Sequence, residues 1–117
     1  MPTLITDVKL VNYSPAPDAQ IEATAIIGNG QLGAWSMFLD QQFLQGGHNG
    51  AAVRIGQGAA LDGKVLEISA AISDVQGAHD RLSFRVHLTG LAQPIEIEHD
   101  AEPGGRAAYS VLVQFGA

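Results

Sequence analysis

The chain of 117 residues has no cysteine, so it carries no disulfide, no thiolate metal ligand and no thiol nucleophile. Charge is sparse as well: Lys, Arg, Asp and Glu make up 15% of the residues, against roughly 25% in an average domain. Aromatic side chains are few, with one Trp, two Tyr and four Phe. No apolar run reaches the roughly 18 residues of a membrane-crossing helix. The opening stretch MPTLITDVKLVNYSPAP lacks a basic leader followed by continuous apolar sequence, which reads as a mature, cytoplasmic protein. Basic residues are the scarcer charge, six against twelve acidic ones, for a net charge of −6. Such a chain repels phosphate backbones and anionic bilayers, so neither nucleic acid nor membrane is an expected partner.

Apolar residues and glycine are what the chain does have, at 46% hydrophobic and 14 glycines. A domain takes about 100 to 200 residues, so residues 1–117 read as a single domain with enough apolar material for one core. Apolar and polar residues alternate with period two, most clearly in RLSFRVHL, where Leu82, Phe84, Val86 and Leu88 interleave with Arg81, Ser83, Arg85 and His87. The same pattern predicts strands near 3–12, 19–28, 32–39, 51–56, 64–74, 94–99 and 107–115, separated by SPAPD, GNG, QGGHNG, GQGAALDG, DVQGAHD and EPGG. About eight short strands with little helix make an all-β fold, an antiparallel β-sandwich or jelly-roll-like domain. In AWSMFLDQQFLQ the helical spacing of Trp35, Phe38, Leu39 and Gln42 competes with a strand. The strand to about Asp40 is preferred, because Asn29-Gly30 ahead of it suits a tight type I′ hairpin turn.

Motifs that would carry chemistry are incomplete. Gly28, Gly30 and Gly33 spell a dinucleotide-binding fingerprint, but the strand-helix-strand units it requires are missing. GAALDGK at Gly58 to Lys64 is one residue short of a phosphate loop, with Val65 where the hydroxyl ligand belongs, and reads as a turn. His48, His79, His87 and His99 form no HxH, HxxxH or HExxH, and no serine sits in a GxSxG elbow. Calcium is the one cofactor the pattern suggests, since Asp74 and Asp80 bracket a loop that Asp40, Asp62, Asp100 and Glu102 are candidates to join. In size and layout the chain is loosely similar to small calcium-dependent bacterial lectins and to calcium-binding sandwich domains of the C2 type. The dense acidic and amide cluster of such lectins is here HDAEPGGRAAY, with Asp100 and Glu102 alone, so the likeness assigns no site.

Three functional readings follow. The leading one is a noncatalytic binding or assembly module. A hairpin at Asn29-Gly30 sets Ile27 opposite Leu32, Ala25 opposite Ala34 and Ile21 opposite Phe38, which leaves Trp35, Met37 and Leu39 on the opposite, also apolar face. Exposed, that stripe is a binding surface and the core of a twofold homodimer; a second layer over it buries it instead. The second reading is a lectin-like sandwich taking a small carbohydrate or calcium. The third is a small hydrolase or isomerase using His48 or His79 with Asp62, Asp74 or Asp80. One register is predicted as well: Leu88 opposite Ile95, with Arg85 facing Glu98 and His87 facing Glu96.

Overall fold

The computed structural model describes residues 4–28, 32–48, 52–73, 81–100 and 104–116. They form nine strands and one helical turn: β1 (Leu4–Tyr13), β2 (Gln20–Ile27), β3 (Leu32–Leu39), β4 (Gln42–Gly47), β5 (Ala52–Gln57), α1 (Gly58–Leu61), β6 (Val65–Ser73), β7 (Arg81–Leu88), β8 (Ile95–Asp100) and β9 (Arg106–Phe115). The strands make a sandwich of a five-stranded sheet, β1-β9-β6-β3-β4, and a four-stranded sheet, β5-β2-β7-β8. No helix among the described residues is long and apolar enough to cross a membrane.

Alternation drives this arrangement, because each strand has one face that gains by leaving water. Ile21, Ala23, Ala25 and Ile27 of β2 join Leu82, Phe84, Val86 and Leu88 of β7 on one wall of the core. Tyr109, Val111, Val113 and Phe115 of β9 face them with Leu66, Ile68 and Ile72 of β6. Burying each large side chain contributes about 1.5–3 kcal/mol before the entropy of ordering is set against it.

Among the described strands only β3–β4 and β7–β8 are sequence neighbours within one sheet; every other consecutive pair lies in different sheets. That corrects the expected β2–β3 hairpin, whose turn at Asn29-Gly30 lies outside the described residues. β2 pairs with β5 and β7, while β3 pairs with β4 and β6. Crossing from sheet to sheet buries Ile27 and Trp35 in the same core, which a flat hairpin does not achieve.

A two-residue turn does occur, one strand later. Asp40 and Gln41 have φ of 47° and 70°, and Leu39 pairs directly with Gln42 across them, as in a type I′ hairpin. The Asp40 carboxylate accepts the Val65 N–H at 2.9 Å, and the Asp40 N–H donates to the Val65 carbonyl at 2.9 Å. The turn is thereby tied to the start of β6. GAALDGK, read as a turn, holds the single helical turn α1 and then leads into β6.

The β7–β8 hairpin has the expected complementary charges with a register two residues away from the expected one. Val86 faces Ile95 and Arg85 faces Glu96. Arg85 Nε donates to Glu96 at 2.8 Å, and Arg81 lies 3.5 Å from Glu98 and 3.3 Å from Asp100. A shift of two keeps every side chain on its face, so the core is indifferent to it. The connection decides: the Leu91 N–H closes a turn on the Leu88 carbonyl, and the Thr89 N–H donates to the Glu22 carbonyl of β2, which removes both residues from the hairpin ladder.

One pairing is not antiparallel. β1 lies parallel to β9 from Leu4↔Arg106 to Tyr13↔Phe115. The Tyr13 hydroxyl donates to the Thr89 carbonyl at 2.6 Å, fastening the end of β1 to the β7–β8 connection.

Candidate functional site

The two outer faces of the sandwich differ in chemistry. On the four-stranded sheet the outward positions include Arg54 and Glu22, and Arg81, Arg85, Glu96 and Glu98, the last four joined by the ion pairs above. Exposed pairs of this kind contribute little, roughly 0–1 kcal/mol each, and mark a solvated surface.

The outer face of the five-stranded sheet carries two charges, Glu67 and Arg106, in the described ladders. Its register builds transverse rows. One row is Thr6, Ala108, Ala71 and Ala34; the next is Val8, Ser110, Ser69 and Ser36. Short side chains at these positions leave a shallow hollow lined by Ala34, Ser36, Ser69, Ala71, Ala108 and Ser110. The Ser69 and Ser110 hydroxyls are 3.3 Å apart, and Ser69 donates to Glu67 at 3.2 Å, so these two hydroxyls are satisfied within the face.

Larger apolar groups stand beside it. The following row is Leu10, Leu112, Glu67, Phe38 and Phe43, and the row at the far end includes Leu4 and Leu32. Leu10 is 73% and Phe43 58% exposed. Phe38 and Phe43 pack edge to face with centroids 5.5 Å apart. Leu4, Val8, Leu10, Leu32 and Phe43, the exposed large hydrophobic residues among the described ones, all belong to this sheet.

The stripe expected to be a binding surface is on the other side of β3. Trp35 is 2% and Met37 0% exposed, and Leu39 is half-buried against the same core. The physical reason is the second layer: the four-stranded sheet covers them, and the outward side of β3 is Leu32, Ala34, Ser36 and Phe38. The Trp35 indole Nε1 has no hydrogen-bond partner among the described residues.

The catalytic alternative gains no support from the residues it named. His48 Nδ1 lies 3.0 Å from the Gly33 carbonyl, and no hydrogen bond or ion pair joins it to Asp62 among the described residues. His79, Asp74 and Asp80 lie outside the described residues, as does Glu102. Among the described residues no three His, Asp or Glu side chains gather as a metal site.

A histidine-carboxylate pair is nonetheless present where sequence gave no hint of it. His99 Nε2, on β8, donates to Asp7 Oδ2, on β1, at 2.7 Å and links the two sheets. This hydrogen bond holds the Asp7 carboxyl below its ordinary range. The His99 ring lies 5.8 Å from that of Tyr109, whose hydroxyl donates to the Leu82 carbonyl at 3.0 Å. Burial, with the nearby Asp7 and Glu98 carboxylates, pushes the Tyr109 phenol up to about 12, so it stays protonated at neutral pH. No serine or threonine hydroxyl bonds to the pair among the described residues, and the arrangement serves as a seam between sheets. No family model, curated protein or solved structure matches the chain significantly.

Proposed function

We propose that the protein is a noncatalytic assembly module that associates with a second copy through the outer face of its five-stranded sheet. The observation that carries this reading is the contrast between the two outer faces: one is laced with ion pairs, the other carries few charges and sets exposed large hydrophobic side chains around a hollow of small residues. Strands about 4.8 Å apart and about 3.3 Å per residue give the five-stranded face roughly 700 Å², close to the roughly 800 Å² that each partner contributes to a stable interface.

A twofold axis across the strands, between the Ala and Ser rows, makes the face complementary to itself. It sets each copy's serine row over the other's alanine row, Leu10 over Leu4 and Phe38 over Leu32. Glu67 of each copy comes beside Arg106 of the other, so both charges on the face are paired.

The test is the mass in solution by light scattering. Leu10→Glu is expected to give a folded monomer at this interface, because a carboxylate desolvated within an apolar contact loses several kcal/mol. Glu67→Arg and Arg106→Glu are each expected to weaken the dimer and together to restore it. Single variants with undiminished association refute the reading.

A further inference from the structure

Four strands border the sheets: β1 and β4 in one, β5 and β8 in the other. A bordering strand presents unpaired N–H and C=O groups, and charge on it keeps other strands away. β1 carries Asp7 and Lys9, β5 carries Arg54, and β8 carries Glu96, Glu98 and Asp100. β4 is QFLQGG, with no charge and no proline. No backbone hydrogen bond outside its ladder with β3 engages it among the described residues.

We infer that β4 pairs antiparallel with β4 of a second copy, joining two five-stranded sheets edge to edge. Charge selects the occupant. The chain has a net charge of −6, and self-pairing at β8 sets acidic side chains against their own copies; β4 brings no like charges together. Size agrees. With the twofold axis between Leu44 and Gln45, Phe43 falls beside Gly46 of the second copy and Gln42 beside Gly47. Phe43 already overlies the glycine of its own strand, since a Cβ at Gly46 would lie 3.8 Å from the ring. The bulge between β3 and β4 sits toward the turn and leaves Gln45, Gly46 and Gly47 in regular ladder with Met37, Ser36 and Trp35. The joint also continues the apolar outer face, because the Phe38–Phe43 pair meets its own copy across it.

This contact is separate from the face-to-face one, and two different twofold contacts on one chain carry assembly beyond a dimer, to a closed tetramer where the axes intersect at right angles and to open-ended growth where they do not meet. Light scattering across a concentration series tests it on the full chain. The wild type is expected to exceed a dimer as concentration rises. Gln42→Lys with Gln45→Lys is expected to stop at the face-joined dimer, and Leu10→Glu at the edge-joined dimer. If the face reading alone is wrong, Leu10→Glu changes nothing and the two lysines by themselves yield monomer.

A second measurement reads the joint directly. Gln45→Cys is the sole thiol in this chain, and a spin label there is expected to show strong dipolar broadening, since the two copies of residue 45 lie one residue apart along strands ~5 Å apart. A wild type that stays monomeric up to its solubility limit overturns the inference. So does an unchanged mass distribution in the lysine variant, or a label without broadening. Protection from exchange, in a purely monomeric sample, of the β4 amides that point away from β3 also overturns it, by assigning the edge to a segment of the same chain.

Discussion

Gln41→Gly is expected to stabilise the fold, and the size of the gain follows from the turn between β3 and β4. Asp40 and Gln41 both have positive φ, 47° and 70°. A left-handed backbone is unfavourable by roughly 1–2 kcal/mol for a residue with a Cβ, and Asp tolerates it better than Gln because its short side chain bonds locally. Glycine removes that strain at Gln41 and loses roughly 0.5–1 kcal/mol to the entropy of the unfolded chain. The net gain is about 0.5–1 kcal/mol. Unfolding entropy for a chain this long is about 0.25 kcal/mol/K, so Tm rises by about 2–4 °C. Calorimetry on three variants isolates the cause. Asp40→Gly relieves similar strain but removes the carboxylate that accepts the Val65 N–H, worth roughly 1.5–3 kcal/mol as a bond to a charged group, so it is expected to melt lower than wild type. Gln42→Gly lies in β4 rather than in the turn and is expected to melt lower as well. A Gln41→Gly protein that melts at or below the wild-type temperature refutes the type I′ strain argument.

Gly33→Ala is expected to destabilise by about 1–3 kcal/mol in urea titrations, because a Cβ there would sit 2.5 Å from the Ala71 carbonyl oxygen of the neighbouring strand. Trp35→Glu is expected to abolish the cooperative thermal transition, since it buries a carboxylate among core side chains. Trp35→Phe is expected to stay folded, because it removes a donor that has no partner. Asp7→Asn tests the seam by pH. The native Asp7 carboxyl, held down chiefly by the His99 hydrogen bond, lies below its unfolded value near 4. Its contribution is therefore complete above about pH 4 and is lost as pH falls through the native value. The stability gap between wild type and Asp7→Asn is expected to close in acid as pH falls through the native Asp7 value; a gap that persists in strong acid refutes the assignment.

Alternation made eight of the strands legible, since one inward side chain in two is enough to identify a half-buried strand. β4 escaped because QFLQGG has a bulge and two glycines in place of alternation. Partner choice was not legible. Asn29-Gly30 is a local turn signal, and nothing local says that the chain changes sheet there. β3 is apolar on both sides, so its inward side is decided by β6 and the opposite sheet, not by its own residues. Trp35 accordingly looked as suited to an interface as to the core. The Asp7–His99 pair joins positions 92 apart, and the outer rows exist only once β1, β9, β6 and β3 are in register. The charge pattern of β7 and β8 survived an error of two residues because the outward charges of β7 are all basic and those of β8 all acidic, recurring at alternate positions.

The parallel ladder of β1 and β9 has a mechanical consequence. Both strands run the same way, so tension applied through the chain before Leu4 and after Phe115 drags them in opposite directions along their common axis. The load falls at once on all the rungs from Leu4↔Arg106 to Tyr13↔Phe115, together with the Gly116 N–H bond to the Tyr13 carbonyl at 3.0 Å. An antiparallel hairpin pulled from its open end yields one rung at a time. Here the rungs must break together, which makes the seam between the first and last strands the part of this domain built to resist stretching.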